Sequence, residues 1–419
     1  MNIFKKVTKR FSFLGSFKAI YNKTIYSQVI YNEVIYNPES KKDIVFILVT
    51  LILTVIVFFI PTGFEESAAH TNAVQGKVRI IHVDNEYVRT IGPVRHGHQR
   101  LEVQVLSRGI FTGKARNFTG NIYPAVNDLI GKMEMDKLFT TGEVAFAVFT
   151  LADDQTISMV RVMDHYRTDK TIILAVLFIT LTILIMGWMG IKIVLTFVFS
   201  ASMLIKVLYP LALHGYDPII AALLVAILIS AFILFLVGGL SKRALSAFLG
   251  TSSGIVFTAI LSFAFTHWFK IHGAVRPFAE MLLYTGYGHI NLVHLFIAGI
   301  FIAASGAMMD LAMNIAAAMD EIKEQQQTIN RLQLIKSGYI VARQAAGTMS
   351  TTLLLAYSAE YTAMIMVFIA QGIPLENIIN MVLISAEVVH TLVGCFGLTL
   401  VAPFTVIASG MLLKGKINK

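Results

Sequence analysis

Six ionisable side chains fall inside the long apolar runs of this 419-residue chain: Lys206, His294, Asp310, Glu360, Glu387 and His390. A charge at the centre of a bilayer span costs at least ~2.5–3.5 kcal/mol when unpaired, so each should be paired or functional. Glu387 and His390 are three residues apart, which places both on one face of a helix. Glu-x-x-His is also a metal-ligand spacing in helical bundles. His214, His267, His272, His289 and His294 sit at the same ends of their segments, so His294, Glu387 and His390 are candidate metal ligands. The bland alternative is interfacial imidazoles facing water. Asp310, Asn314 and Glu321 form a second constellation, since at 100° per residue they lie within about 40° of one another on a helix. The small residues Gly306, Ala307, Ala312, Ala316 and Ala317 should let neighbouring helices approach there. Two pairings are expected: Lys206 with Glu360 near one surface, and Arg343 with Asp310 near the other. Each would be either a static tether between helices or a coupling site for an ion or proton.

The elements that position these groups are membrane spans. Charged residues make up 14% of the chain and apolar residues 56%, well outside the range of soluble domains. Apolar runs at 44–60, 171–189, 192–213, 218–238, 245–266, 290–312, 347–370 and 387–413 predict eight helices crossing a lipid bilayer. Loops on one side are basic, such as Ser241-Lys242-Arg243 and the segment holding Lys323, Arg331, Lys336 and Arg343. Alternate loops such as His214-Gly-Tyr-Asp-Pro carry no Lys or Arg, and the 267–289 loop has only Lys270 and Arg276 with Glu280. This asymmetry predicts a cell-membrane protein with both termini, 1–43 and 414–419, in the cytoplasm. The net charge of +9 is then an orientation signal and implies no nucleic-acid partner. Cys395 is the single cysteine, so no intrachain disulfide can form. After Asp320, a surface helix is expected to run to a break at Ser337-Gly338, its apolar stripe formed by Ile322, Ile329, Leu332, Ile335 and Tyr339.

Residues 61–168 differ in kind. They balance 13 basic against 13 acidic residues up to Lys170. Apolar and polar residues alternate from Gly76, from Arg100 and from Glu143, with Gly, Asn and Asp between. A small β-rich domain outside the cell is predicted, a barrel being one form open to it, in which His96 and His98 read as solvated turn residues. The basic tail before Ile44 repeats Ile-Tyr every five residues (Ile20, Ile25, Ile30, Ile35). Five residues advance a helix by 140°, so the pairs make no single face, and the tail is expected to rest on the anionic inner leaflet or to dock a partner.

Gly306-Ala-Met-Met-Asp-Leu-Ala-Met-Asn, Asp164-His-Tyr-Arg, Val237-Gly-Gly-Leu-Ser-Lys-Arg and Gly347-Thr-Met-Ser-Thr-Thr together resemble the YibE/F family of bacterial membrane proteins, over roughly residues 73–413. The resemblance implies an anchor, an extracytoplasmic β segment and a bundle of 169–413. It also implies a paired homologue or a homo-oligomer as partner, and it brings no function. The sequence departs from the family pattern at Gln344, where an Asp is implied, and at Thr351, where an Asn is implied. No Gly-x-Ser-x-Gly, His-Glu-x-x-His or Walker loop occurs, so neither an enzyme nor a cofactor is expected. Polar groups within spans broken at Pro210, Pro218, Pro374 and Pro403 point to secondary transport of a small solute or ion. The alternative is a non-catalytic scaffold or export accessory that binds partners through its β domain. Lys206, Asp310, Asn314, Arg343, Glu360 and Glu387 are the candidate binding and coupling residues.

Overall fold

A computed structural model describes residues 41–64, 73–107, 119–152 and 156–413. The Ile-Tyr repeat and the basic C-terminus from Lys414 lie outside the described residues. Two compact units separate, Gly63–Thr180 and a helical unit formed by the remainder.

The first unit is built from β1 (Ala73–Asp84), β2 (Val88–Ile91), β3 (Val94–Ser107), β4 (Ile122–Ile130), β5 (Val144–Leu151) and β6 (Ile157–His165). The sheet runs β1-β5-β6-β4-β3-β2, and β3 also pairs with β1, so five strands close on themselves and β2 hangs on as a hairpin. All pairings are antiparallel except β4 with β6, giving a five-stranded Greek-key barrel. Register shifts in β1 against β3 supply the bending that closure requires. The alternation seen in the sequence fills the interior: Val78, Ile80, Val103, Ala145, Ala147 and Phe149 are all buried. Gln99 is the polar exception. Its Oε1 accepts from Asn127 Nδ2 at 2.8 Å and from the Phe139 amide at 3.0 Å. Its Nε2 donates to Asn85 Oδ1 at 2.7 Å and to the Phe139 carbonyl at 3.2 Å. One amide thus fastens the β4–β5 loop over the barrel end.

Asp164-His-Tyr-Arg ends β6 with a second fastening. Asp164 bridges Arg167 at 2.8 Å and Lys137 at 3.3 Å, and the His165 ring lies against Phe139. Burial pushes the Asp164 carboxyl up, but hydrogen bonds from Arg167, the His165 amide and Lys137 outweigh it and hold the group below its ordinary value.

The helical unit contains α1 (Lys41–Phe59) and, after α2 (Thr168–Met186), α3 (Trp188–Leu213), α4 (Pro218–Gly238), α5 (Lys242–Trp268), the short α6 (Ala279–Tyr284), α7 (Leu292–Gln325), α8 (Arg331–Glu360), α9 (Thr362–Ala370), α10 (Leu375–Asn380) and α11 (Val382–Leu412). The helices α2, α3, α4, α5, α7 and α11 are each long and apolar enough to cross a membrane. A seventh crossing needs α8 and α9 together, bent by 62° at Tyr361. The apolar part of α1, Ile44–Phe59, is shorter. It packs on α3 and α4, and its buried Thr50 and Thr54 donate to the Phe46 and Thr50 carbonyls of their own helix, the solution open to a hydroxyl away from water.

Asp217 and Asn291 cap α4 and α7 by accepting from the first free amides, and Asn330 with Gln333 forms a capping box that starts α8. The chain therefore breaks at 326–330. The break expected at Ser337-Gly338 does not occur: α8 passes through it, and Gly338 is the hollow that receives Met319 of α7. The same lock recurs along α7. Met313 fills the space at Gly238 of α4, and Met308 reaches into that at Gly397 of α11 and touches Gly254 of α5. Unbranched methionine suits such gaps. Gly306, expected to admit a neighbour, faces open space, while Ala312 and Ala316 are buried as expected. The close approach comes from glycines on the surrounding helices. Down the antiparallel α5–α11 pair, Gly250 meets Thr405, Gly254 meets Val401 and Gly397 meets Thr258.

Pro210 has no amide hydrogen and its ring crowds the carbonyl four residues back. The helix α3 answers with a wide π turn at Leu204–Leu208, which carries Lys206.

Candidate functional site

The α8–α9 break, the start of α11, the start of α7 and the end of α5 meet at one end of the helical unit. The loop after α5 folds in among them. Gly273 permits this: its φ is +75°, and a methyl group there would overlap the Leu292 backbone at the start of α7. The loop core Ile271 and Val275 packs with Phe296, Ile300, Ala386, Val389 and Val393. That packing delivers Arg276 to the carboxylates.

Arg276 Nη1 donates to Glu387 Oε1 at 2.7 Å and lies 3.6 Å from Glu360 Oε2. The guanidinium also stands over the Phe296 ring, 5.6 Å from its centroid. The carboxylates are unequal: Glu387 is 13% exposed and Glu360 is 59%. His390 follows Glu387 by three residues, as helical spacing requires. Its Nδ1 lies 3.5 Å from Glu387 Oε2, and its ring packs 4.4 Å from that of Tyr357 on α8. Among the described residues Glu387 Oε2, His390 Nδ1, the Tyr357 hydroxyl and the Thr391 hydroxyl are buried without a hydrogen-bond partner. Other orphans lie along the helices, and what sets this cluster apart is that Glu387 Oε2, His390 Nδ1 and the Tyr357 hydroxyl adjoin an ion pair.

The sequence singled out Glu360, Glu387 and His390 but paired Glu360 with Lys206. The ion-pair partner of Glu360 is instead Arg276, because the π turn bearing Lys206 packs on α4 and α1, away from α8. Arg343 and Asp310 are both exposed, and among the described residues no ion pair within 4 Å joins them. Asn314 is exposed as well, on the same stripe as Asp310. Arg276 and Tyr357 were missed. Arg276 had a signal, as one of the few cations in loops otherwise lacking them.

His294 belongs to a different place. Its Nδ1 lies 2.7 Å from Asp217 Oδ2, joining the start of α7 to the start of α4 beside a cavity of about 180 Å³ lined by Tyr216, His289 and Asn291. Burial raises the Asp217 carboxyl, but His294 and the amides of Ile219 and Ile220 together bring it below its ordinary value. His214, His267 and His289 each engage a backbone carbonyl. His214, His267, His289 and His294 therefore engage other partners, and among the described residues no three His, Cys, Asp or Glu side chains group to hold a metal.

The fold and this cluster define a polytopic helical membrane protein with a partly buried ion-paired cluster at one end of its bundle. Residues 174–415, more than half of the chain, match the model of the YibE/F-like proteins, and the chain belongs to that family. The match covers the helices from α2 onward. The barrel with its Asp164-His-Tyr-Arg, included in the resemblance noted from sequence, lies outside it. Comparisons with curated proteins and with solved structures gave no match.

Proposed function

We propose that this YibE/F-like protein is a secondary transporter of a small solute or ion, with Arg276, Glu360, Glu387 and His390 as its coupling site. The observation that carries this is Glu387: a nearly enclosed carboxylate with one oxygen held by Arg276 and the other unsatisfied beside His390. A purely structural ion pair gains by satisfying all its atoms, whereas a coupling site must leave room for what it binds. The bent α8–α9 pair beside it is the kind of broken span at which transporters place such sites. In this reading all eight apolar segments cross the cell membrane, both termini are cytoplasmic, and residues 61–168 are outside, as the basic loops favour. A paired YibE/F-like homologue or a second copy is its partner, and no chemistry is catalysed.

The test is the solute content of cells lacking the chain, compared after rescue with wild type or Glu387→Gln at equal membrane abundance. Wild type should restore the content and Glu387→Gln should not. Equal rescue by both sinks the coupling role.

A scaffold or export accessory is the second reading. It is favoured by the barrel surface at the hairpin end, where Ile91, Ile130 and Met133 are exposed beside a cavity of about 230 Å³ lined by Pro93, Leu129 and Leu138. Rescue that depends on Ile91 and Met133 and ignores Glu387 would support it.

A further inference from the structure

The nature of the coupling ion follows from the geometry of the same cluster, and the inference rests on the transport reading only for its purpose. We infer that the ion is a proton taken up by Glu387, and that Arg276 registers its arrival by shifting from Glu387 toward Glu360.

Charge comes first. Arg276 contributes one positive charge and Glu360 and Glu387 two negative ones. With a neutral imidazole at His390 the set is one proton short of neutrality. The shortfall is local, because Glu387 Oε2 and His390 Nδ1 face each other at 3.5 Å and neither has a hydrogen-bond partner among the described residues. With the ring hydrogen of His390 on Nε2, one added proton between Glu387 Oε2 and His390 Nδ1 makes them a donor and an acceptor. A hard metal cation is suited far less. Calcium takes six to eight oxygen ligands, while Glu387 Oε2 faces a ring nitrogen, and no metal-holding group of three is found among the described residues.

The surroundings let such a proton act. Facing the pair are Arg276 from the loop, Tyr357 and Glu360 from α8, and Cys395 beside Tyr357. The helices α5 and α7 turn apolar side chains there, including Phe265 and Phe296. The Glu387 carboxylate is therefore the group whose charge holds Arg276 at 2.7 Å, and Glu360, the less enclosed carboxylate, is a second seat already within 3.6 Å. An acid of the surrounding solution gives up a proton, an O–H bond forms at Glu387 Oε2, and the charge of the cluster rises by one. Arg276 then has one full carboxylate left, at Glu360. Moving there draws the loop around Ile271 and Val275 away from Phe296 and Val389, and this opens the end of the bundle.

The loop position is read in the full chain carrying Cys395→Ser and Val275→Cys, reconstituted in neutral-lipid vesicles, as the rate at which a water-soluble maleimide labels position 275. The rate should rise at least tenfold between pH 8 and pH 5.5. Sodium, potassium or calcium added at pH 8 should leave it unchanged. Glu387→Gln should label at the fast rate at every pH, and Arg276→Gln should do the same, which keeps the test decisive if one variant does not fold. A labelling rate independent of pH in the parent, a rise caused by a metal cation at pH 8, or a normal pH response in both variants would overturn the inference. Proton flux into the same vesicles, read with an entrapped pH-sensitive dye, separates it from the transport reading. Labelling that switches with pH in the absence of flux removes transport and leaves the switch, and flux with unswitched labelling removes the switch.

Discussion

Cutting the Arg276–Glu387 pair should destabilise the helical unit in a pattern set by the two distances and the two exposures. At an effective dielectric of 20, opposite charges 2.7 Å apart attract by about 6 kcal/mol before desolvation is subtracted. Removing one partner of such an enclosed pair leaves a buried charge unmatched and costs about 3–5 kcal/mol. The Arg276–Glu360 contact is longer, at 3.6 Å, and Glu360 is the less enclosed of the two carboxylates, so its loss leaves less buried charge unmatched. Arg276→Gln strands the enclosed Glu387 and should cost about 3–5 kcal/mol, Glu387→Gln should cost less because Glu360 still faces the guanidinium, and Glu360→Gln least of the three. The double variant Arg276→Gln/Glu387→Gln should cost less than the sum of its singles by about 0.5–3 kcal/mol, since neither orphan then remains. Reversible unfolding in mixed micelles of increasing denaturing detergent, followed by far-UV circular dichroism, measures all four. A Glu360→Gln loss equal to that of Glu387→Gln, or strict additivity in the cycle, would refute the assignment of Glu387 as the principal partner.

Other consequences are simpler to read. Gly397→Leu overlaps Thr258 and Met308 and should cost about 1–3 kcal/mol, whereas Gly306→Leu points into open space and should stay within about 0.5, in the same micelle assay. Met308→Ala empties a fully buried site and should cost about 2–5 kcal/mol. Gln99→Leu strands the Phe139 amide inside the barrel and should cost about 1–3 kcal/mol, seen as faster hydrogen exchange at Phe139 and Asn127. Asp164 has a lowered carboxyl, so its contribution is complete above the ordinary aspartate value and fades as pH falls through the lower folded one. The barrel melting temperature of Asp164→Asn should therefore lie below wild type at pH 7 and converge with it in acid below that folded value.

Much of this architecture was legible in the residue order. Hydropathy sums over local composition, so the spans could be placed without knowing their neighbours, and 218–238 coincides with α4. Alternation is equally local, which is why β1, β3 and β5 were foreseen. The adjacency of Glu387 and His390 needed only the helical repeat. Gly338 was misread because a glycine that ends a helix and one that receives a methionine look alike in sequence. The same ambiguity misplaced the turn after α7 and credited Gly306 with a contact it does not make.

Which charges meet was decided by tertiary structure. Arg276 and Glu387 are 111 residues apart, and nothing periodic links them. Their contact depends on Gly273 letting the loop cross the start of α7 and on Ile271 docking in an apolar cluster. Lys206 and Glu360 had equal claims by depth, but depth is one coordinate, and the packing of α3 on α4 and α1 fixed the other two. Sequence alone therefore determined that this protein has membrane-crossing helices and a β-rich domain and holds Glu387 and His390 on one helical face. The fold alone determined that Arg276 closes the site, because an ion pair requires proximity in three dimensions and the sequence records only one.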